Sequence, residues 1–141
     1  MRRVMFVVLL GISAVGNAQV TSLAEVKAKG AVQLTAGELK QMMAGAKVVC
    51  RTNAGTTRRW ENKADGTFTA SSDNVGVVGR AHPTSGNGTW RVADNGTFCV
   101  DIQWSVTPEK WCRYLFKAGD KYYGFYKLED SAQAYEFDFS K

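Results

Sequence analysis

The chain has 141 residues with 18 Lys or Arg, 13 Asp or Glu and one His, a formal charge of +5. That length suits one domain with a modest core, and so mild a basic excess does not provide the dense positive surface that nucleic-acid binding needs. A single histidine and three cysteines show no converging set of metal ligands.

The chain begins MRRVMFVVLLGISAVGNAQ, with two arginines, an apolar run from Val4 to Val15, and Gly16 and Ala18 at cleavage-site spacing. This reads as a secretory signal peptide over residues 1–18, cut after Ala18. The run is shorter than the roughly 18 to 20 residues a membrane-spanning helix needs. No cysteine follows the cut to carry a lipid, so no membrane anchor is expected after cleavage and the protein is expected to be periplasmic or secreted. Removing 18 residues from 141 leaves 123, with 16 basic against 13 acidic side chains.

Residues Gln19 to Gln33 are small, polar or charged with little apolar periodicity, and read as a flexible lead-in. A single β-rich domain is expected over 34–141. It opens on LTAGELKQMMAG, where Thr35 and Glu38 have capping-box spacing, Leu39, Met42 and Met43 share a face, and Gly45 ends the helix. Leu34 is placed to staple against Leu39.

From Ala46 the chain turns to short runs of Val, Thr, Tyr, Phe and Trp broken by NAG, ADG, SGNG, ADNG, AGD and EDS. Strands are expected over 46–52, 57–63, 67–71, 76–81, 88–92, 97–104, 111–117, 121–128 and 133–139, with Pro83 and Pro108 in loops. The phrases RRWENKADGTF and GTWRVADNGTF each place a Trp eight residues before a Phe, around Asp65-Gly66 or Asn95-Gly96. Each encodes a hairpin with a two-residue turn, and YLFKAGDKYYG is a fainter third copy. Repeated hairpins build an antiparallel up-and-down barrel or a strongly curled sheet, with one short N-terminal helix.

Cys99 and Cys112 flank one such hairpin and are the natural disulfide, leaving Cys50 as a small buried hydrophobe. An unbulged register through that pair sets Phe98 opposite Arg113, Val100 opposite Trp111 and Asp101 opposite Lys110. Phe98, Val100, Ile102, Trp111 and Leu115 then share one apolar face with Arg113, whose charge must pair or stack, on Trp90 or a tyrosine such as Tyr126. Arg51, Arg58 and Arg59 would gather on the first hairpin beside Trp60, a combination suited to an anionic envelope polymer or a solvated strand face. His82 lies in a loop without a second ligand type, and no paired carboxylates can be named from spacing. Neither a catalytic site nor a cofactor is therefore expected.

The Gly88-Thr89-Trp90 to Gly96-Thr97-Phe98 hairpin resembles those of calycin-type barrels, the lipocalin and avidin group. The wider pattern of LTAGELKQMMAG, DGTF, GTWRV, Cys99 and WCRYLF is similar to small exported bacterial proteins grouped as a family of unknown function. The resemblance implies a secreted β-rich domain and no particular chemistry. The expected function is binding, of a small apolar or amphipathic molecule in the barrel interior near Trp90, Arg113 and Tyr126. The alternative is an interaction or inhibitor module meeting an envelope component through loops and the basic residues.

Overall fold

The computed structural model describes residues 21–76 and 82–141. Two helices, α1 (Leu23–Ala28) and α2 (Ala36–Met43), precede or interleave with β1 (Val32–Gln33), and eight strands follow. They are β2 (Lys47–Arg51), β3 (Thr57–Glu61), β4 (Thr67–Ser72), β5 (Thr84–Val92), β6 (Thr97–Trp104), β7 (Pro108–Ala118), β8 (Lys121–Phe125) and β9 (Tyr135–Ser140). Each of these eight pairs antiparallel with its sequence neighbour, and β9 returns to pair with β2, so the sheet closes as an up-and-down barrel. Closure leaves no long strand edge exposed, which settles the choice between barrel and open curled sheet and agrees with the calycin-like hairpins.

The repeated phrases do form equivalent hairpins, though with three-residue rather than two-residue loops. Lys63 and Thr67, and likewise Ala93 and Thr97, close the two loops, and Gly66 and Gly96 take φ of +86° and +81°. Asp65 and Asn95 accept from the backbone N–H and hydroxyl of Thr67 and Thr97 in matching fashion. A turn followed by one left-handed residue demands glycine only at its last position, so Asp65 and Asn95 keep negative φ and act through their side chains.

The tetrapeptide SGNG, expected as a turn, instead runs through β5, which begins at Thr84. Its glycines face inward. A Cβ on Gly88 would meet the Phe68 ring at 2.3 Å, and one on Gly86 would meet Trp104 at 2.9 Å, so the missing side chains make room for aromatic neighbours. Pro108 likewise opens β7 instead of lying in a loop, at the strand position that tolerates a missing N–H. The 76–81 strand falls almost wholly outside the described residues, as does the signal peptide.

The lead-in is corrected too. Residues 21–33 carry α1, capped by Ser22, and β1, which continues the line of β6 along β7 through Val32–Lys117 and Gln33–Phe116 pairs. Leu23 and Val26 are fully buried against Phe116, Tyr123, Phe125 and Ala132 on the outside of the barrel. There are thus two helices where one was expected. Ser22 and Glu25 have the spacing of a helix start, and Leu23 and Val26 share a face, a short signal masked by the surrounding charges.

The second helix has the expected capping box, with Thr35 N–H donating to Glu38 at 2.7 Å and Glu38 N–H to the Thr35 hydroxyl at 3.2 Å. Leu39 and Met43 are driven into one end of the barrel, where they join the main core of Val48, Trp60, Phe68, Phe98, Val100, Ile102, Trp111, Leu115 and Phe137. Trp60 stacks on Phe68 at 5.1 Å, and Phe98 lies edge-on to Trp111 at 6.0 Å. Buried Asn62 accepts from the Trp60 indole at 2.9 Å and donates to the Met43 carbonyl at 3.1 Å, tying the helix end to β3.

Candidate functional site

The end opposite α2 is where the strands β2, β4, β6 and β8 finish, and its inward-facing positions change from apolar to polar. The Cys99–Cys112 disulfide is formed, and the β6–β7 register around it pairs Phe98 with Arg113, Val100 with Trp111 and Asp101 with Lys110, as expected. Alternation therefore turns Arg113 inward. It is only 2% exposed.

Three aromatic rings receive this guanidinium. Its carbon lies 3.7 Å from the Tyr135 ring centre, 3.9 Å from that of Tyr126 and 5.0 Å from that of Trp111. Such stacking favours a desolvated cation by about 2 kcal/mol. Tyr126 is among the sequence-selected partners, whereas Trp90 is not one of the three. The Trp90 indole instead donates to the Lys63 carbonyl at 2.9 Å, at the β3–β4 turn. Glycine at position 124 opens the slot for the arginine, since a Cβ there would meet Phe137 at 2.6 Å and the Arg113 Cδ at 3.0 Å. Among the described residues no carboxylate pairs with Arg113, and its buried Nε has no hydrogen-bond partner. Burial lowers its pKa from the usual arginine value, while Tyr126 and Tyr135 oppose that shift.

The basic cluster expected from Arg51, Arg58 and Arg59 does not form. In the β2–β3 pair Cys50 faces Arg58 and Val48 faces Trp60, so Arg58 and Trp60 point into the barrel while Arg51 and Arg59 point out. Trp60 is buried in the core, and Arg51 pairs with Asp138 at 2.8 Å on the outer wall. The period of two separates the neighbours Arg58 and Arg59 by the thickness of the sheet. With Trp60 taken as core, parity alone assigns Arg58 to the interior.

Arg58 forms an ion pair with Glu109, which also accepts from the Trp104 indole at 2.8 Å, and its guanidinium carbon sits 5.7 Å from the Trp104 ring centre. Its Nε is buried without a partner, like that of Arg113. Beside this pair lies a pocket of about 190 Å³ lined by Arg58, Ser72, Asn74, Thr84, Trp104 and Glu109, among others. Its rim is fixed by hydrogen bonds. Ser72 donates to Asn74, and Asn74 donates to Thr84 and to the His82 carbonyl, with Asn74 itself at φ +54°. His82 contributes its backbone, and its side chain is exposed.

Cys50 connects the two arginines. It is free, buried, opposite Arg58 in one strand pair and opposite Phe137 in the other. Burial pushes its thiol up to about 11, against opposing fields from Arg113 and Arg58 and a reinforcing one from Glu109. A thiol so displaced stays protonated at neutral pH and is chemically inert.

A larger dish, about 540 Å³, lies on the outer wall over β4–β6 and is lined by Thr67, Thr69, Asn87, Thr89, Asp101 and Gln103. Thr69 there bonds to Asn87 and Gln103 to Asp101, a solvated polar face behind the inward glycines. Of the two, the pocket at the mouth is the one lined by an inward, partly buried ion pair. Glu109, Trp104 and Tyr135 are the mouth residues missed in the sequence, each identifiable only once the register is known.

No helix among the described residues is long and apolar enough to cross a membrane. No curated protein and no solved structure matches the chain. The family whose description is "Protein of unknown function (DUF995)" matches residues 11–123, most of the length and much of the barrel. The chain belongs to that family of unknown function.

Proposed function

We propose that the protein is an exported, non-catalytic binding protein that holds a small amphipathic molecule at the open end of its barrel. The observation that carries this reading is the mouth itself, where a pocket of about 190 Å³ is lined by the inward Arg58 and its carboxylate partner Glu109, and where Cys50 lies within the fields of both Arg58 and the more deeply buried Arg113. The apolar face of Trp104 and the Ser72, Asn74 and Thr84 polar groups suit a ligand with one greasy and one polar part. Packed aromatics through the interior favour the mouth over the barrel centre as its location. Export is supported by the leader-like sequence of residues 1–18 and by the disulfide, a bond that persists in oxidising compartments.

Titration of the oxidised protein with short-chain amphiphiles, followed by Trp fluorescence, tests the mouth. A saturable change is expected, lost in Trp104→Phe and in Thr84→Phe, which fills the pocket. Saturable binding indifferent to both substitutions would place the ligand elsewhere. N-terminal sequencing of protein recovered outside the cytoplasm checks export, with Gln19 as the expected first residue.

A further inference from the structure

Of the two inward arginines, the partly buried Arg58 has a carboxylate partner, whereas among the described residues Arg113 has none. Glu109 neutralises Arg58 and is itself held by the Trp104 indole, so this half of the mouth is electrostatically closed. Arg113 is almost fully buried, aromatic rings stack on its guanidinium with Tyr135 as its polar neighbour, and its Nε is left without an acceptor. Ring faces interact with the flat faces of a guanidinium, whereas its N–H groups point outward in the plane and require acceptors that stacking does not supply. An unsatisfied buried donor is costly, and a cation without a counter-charge costs more.

The two tyrosines that clasp Arg113 differ. Tyr135 is the first residue of β9, pairs with Gly124 across the sheet and is partly buried. Tyr126 follows the last residue of β8, lies outside any strand and is 57% exposed despite its contact with the guanidinium. One ring is thus built into the wall, and the other rests on the cation from the solvent side.

We propose that Arg113 receives the oxyanion head group, carboxylate or phosphate, of the ligand held at the mouth, with Tyr126 as the displaceable cover over it. This rests on the mouth being the binding site, and adds the charge and the head-group chemistry of what binds there. The planar fork of an arginine accepts a carboxylate or phosphate through two parallel hydrogen bonds, which supplies the acceptors the aromatic rings lack. Tyr135 stays stacked on one face throughout. The Arg58–Glu109 pair stays intact and forms the opposite wall.

The test compares hexanoate, hexyl phosphate and neutral hexan-1-ol on the oxidised full barrel by calorimetry, with the Arg113 Nε–H signal followed by NMR. At least one anion is expected to bind about ten-fold or more tightly than hexan-1-ol and to shift that signal, and the better of the two anions identifies the head group. Arg113→Met, which removes an unpaired buried charge while keeping a long side chain, is expected to fold and to lose the preference for the anion. Tyr126→Ala is expected to speed anion association. Equal binding of all three probes, or an anion preference that survives Arg113→Met, overturns the role of Arg113 while leaving the mouth as the site. If none of the probes binds, the mouth reading falls with it. Should Arg113→Met not fold, an Nε–H signal in the unaltered protein that ignores saturating anion is sufficient to reject the proposal.

Discussion

The two ends of this barrel bury polar groups under opposite rules. At the end sealed by α2, Asn62 is fully buried and uses both its carbonyl and its amide, to Trp60 and to Met43, beneath the fully buried Leu39, Met43 and Phe98. At the open end the Nε atoms of Arg58 and Arg113 are both buried and both unpartnered, the only such side-chain atoms among the described residues. Native interiors satisfy nearly all such groups, so a pair of exceptions at one end marks where stability gives way to another requirement. The closed end is built for packing, and the open end retains charge that packing alone does not explain.

The largest effect is expected at the closed end. Phe98→Ala removes a fully buried ring that touches Trp111 and Phe139, and should cost about 3 to 5 kcal/mol in urea unfolding. Phe98 is also the cross-strand partner of Arg113, so ligand affinity of the folded fraction should fall too, but by less than stability does. A comparable loss of binding without loss of stability would erase the distinction between the two ends.

Cys50 gives the next effect, and it depends on pH. Its folded pKa is raised to about 11 from 9.0, so the stability this group contributes is fully present below about 9 and is lost as pH rises through 11. Two pKa units correspond to roughly 2 to 3 kcal/mol. Stability measured between about pH 8.5 and pH 11.5 should therefore fall more steeply for the unaltered protein than for Cys50→Ala, by an amount of that order. Parallel curves would mean that the thiol is better solvated than its burial implies.

A smaller effect on stability, with a change of opposite sign in binding, is expected at Glu109. Glu109→Gln leaves Arg58 without its counter-charge and should cost about 1 to 3 kcal/mol. The same substitution removes the carboxylate that lines the pocket, so affinity for the anionic probes should rise. A fall in anion affinity would show that the Arg58–Glu109 pair shapes the site more than its charge opposes the ligand.

Much of the barrel was legible because its signals are local. Trp60 to Phe68 and Trp90 to Phe98 repeat a period-two pattern around glycines that the turns require at Gly66 and Gly96, and the disulfide fixed one register from which the inward course of Arg113 followed. What escaped depends on long-range partners. Gly86 and Gly88 look like turn residues until Trp104 and Phe68 are known to lie over them. Glu109 and Tyr135 stand 51 and 22 positions from Arg58 and Arg113, respectively, and only the closed sheet brings each pair together. The basic cluster failed for a local reason, since Arg58 and Arg59 were read by composition where strand parity, anchored on Trp60, assigns them to opposite faces.

That parity yields the smallest expected effect. Arg51 and Arg58 are both cations on the first hairpin with one acidic partner each, Asp138 and Glu109. The Arg51–Asp138 side chains are 45% and 55% exposed, where water screens the pair and two long side chains lose freedom in making it. Arg51→Ala should cost less than about 1 kcal/mol, and that cost should shrink further in high salt. The side chains of the Arg58–Glu109 pair are about half as exposed, at 23% and 25%, so the penalty for breaking it should persist in salt. Arg51→Ala should also leave hexanoate and hexyl phosphate affinity unchanged, because its charge lies outside the wall. If it instead weakens anion binding as strongly as Arg113→Met, the relevant field is that of the whole basic surface, and the interior position of Arg113 carries no special meaning.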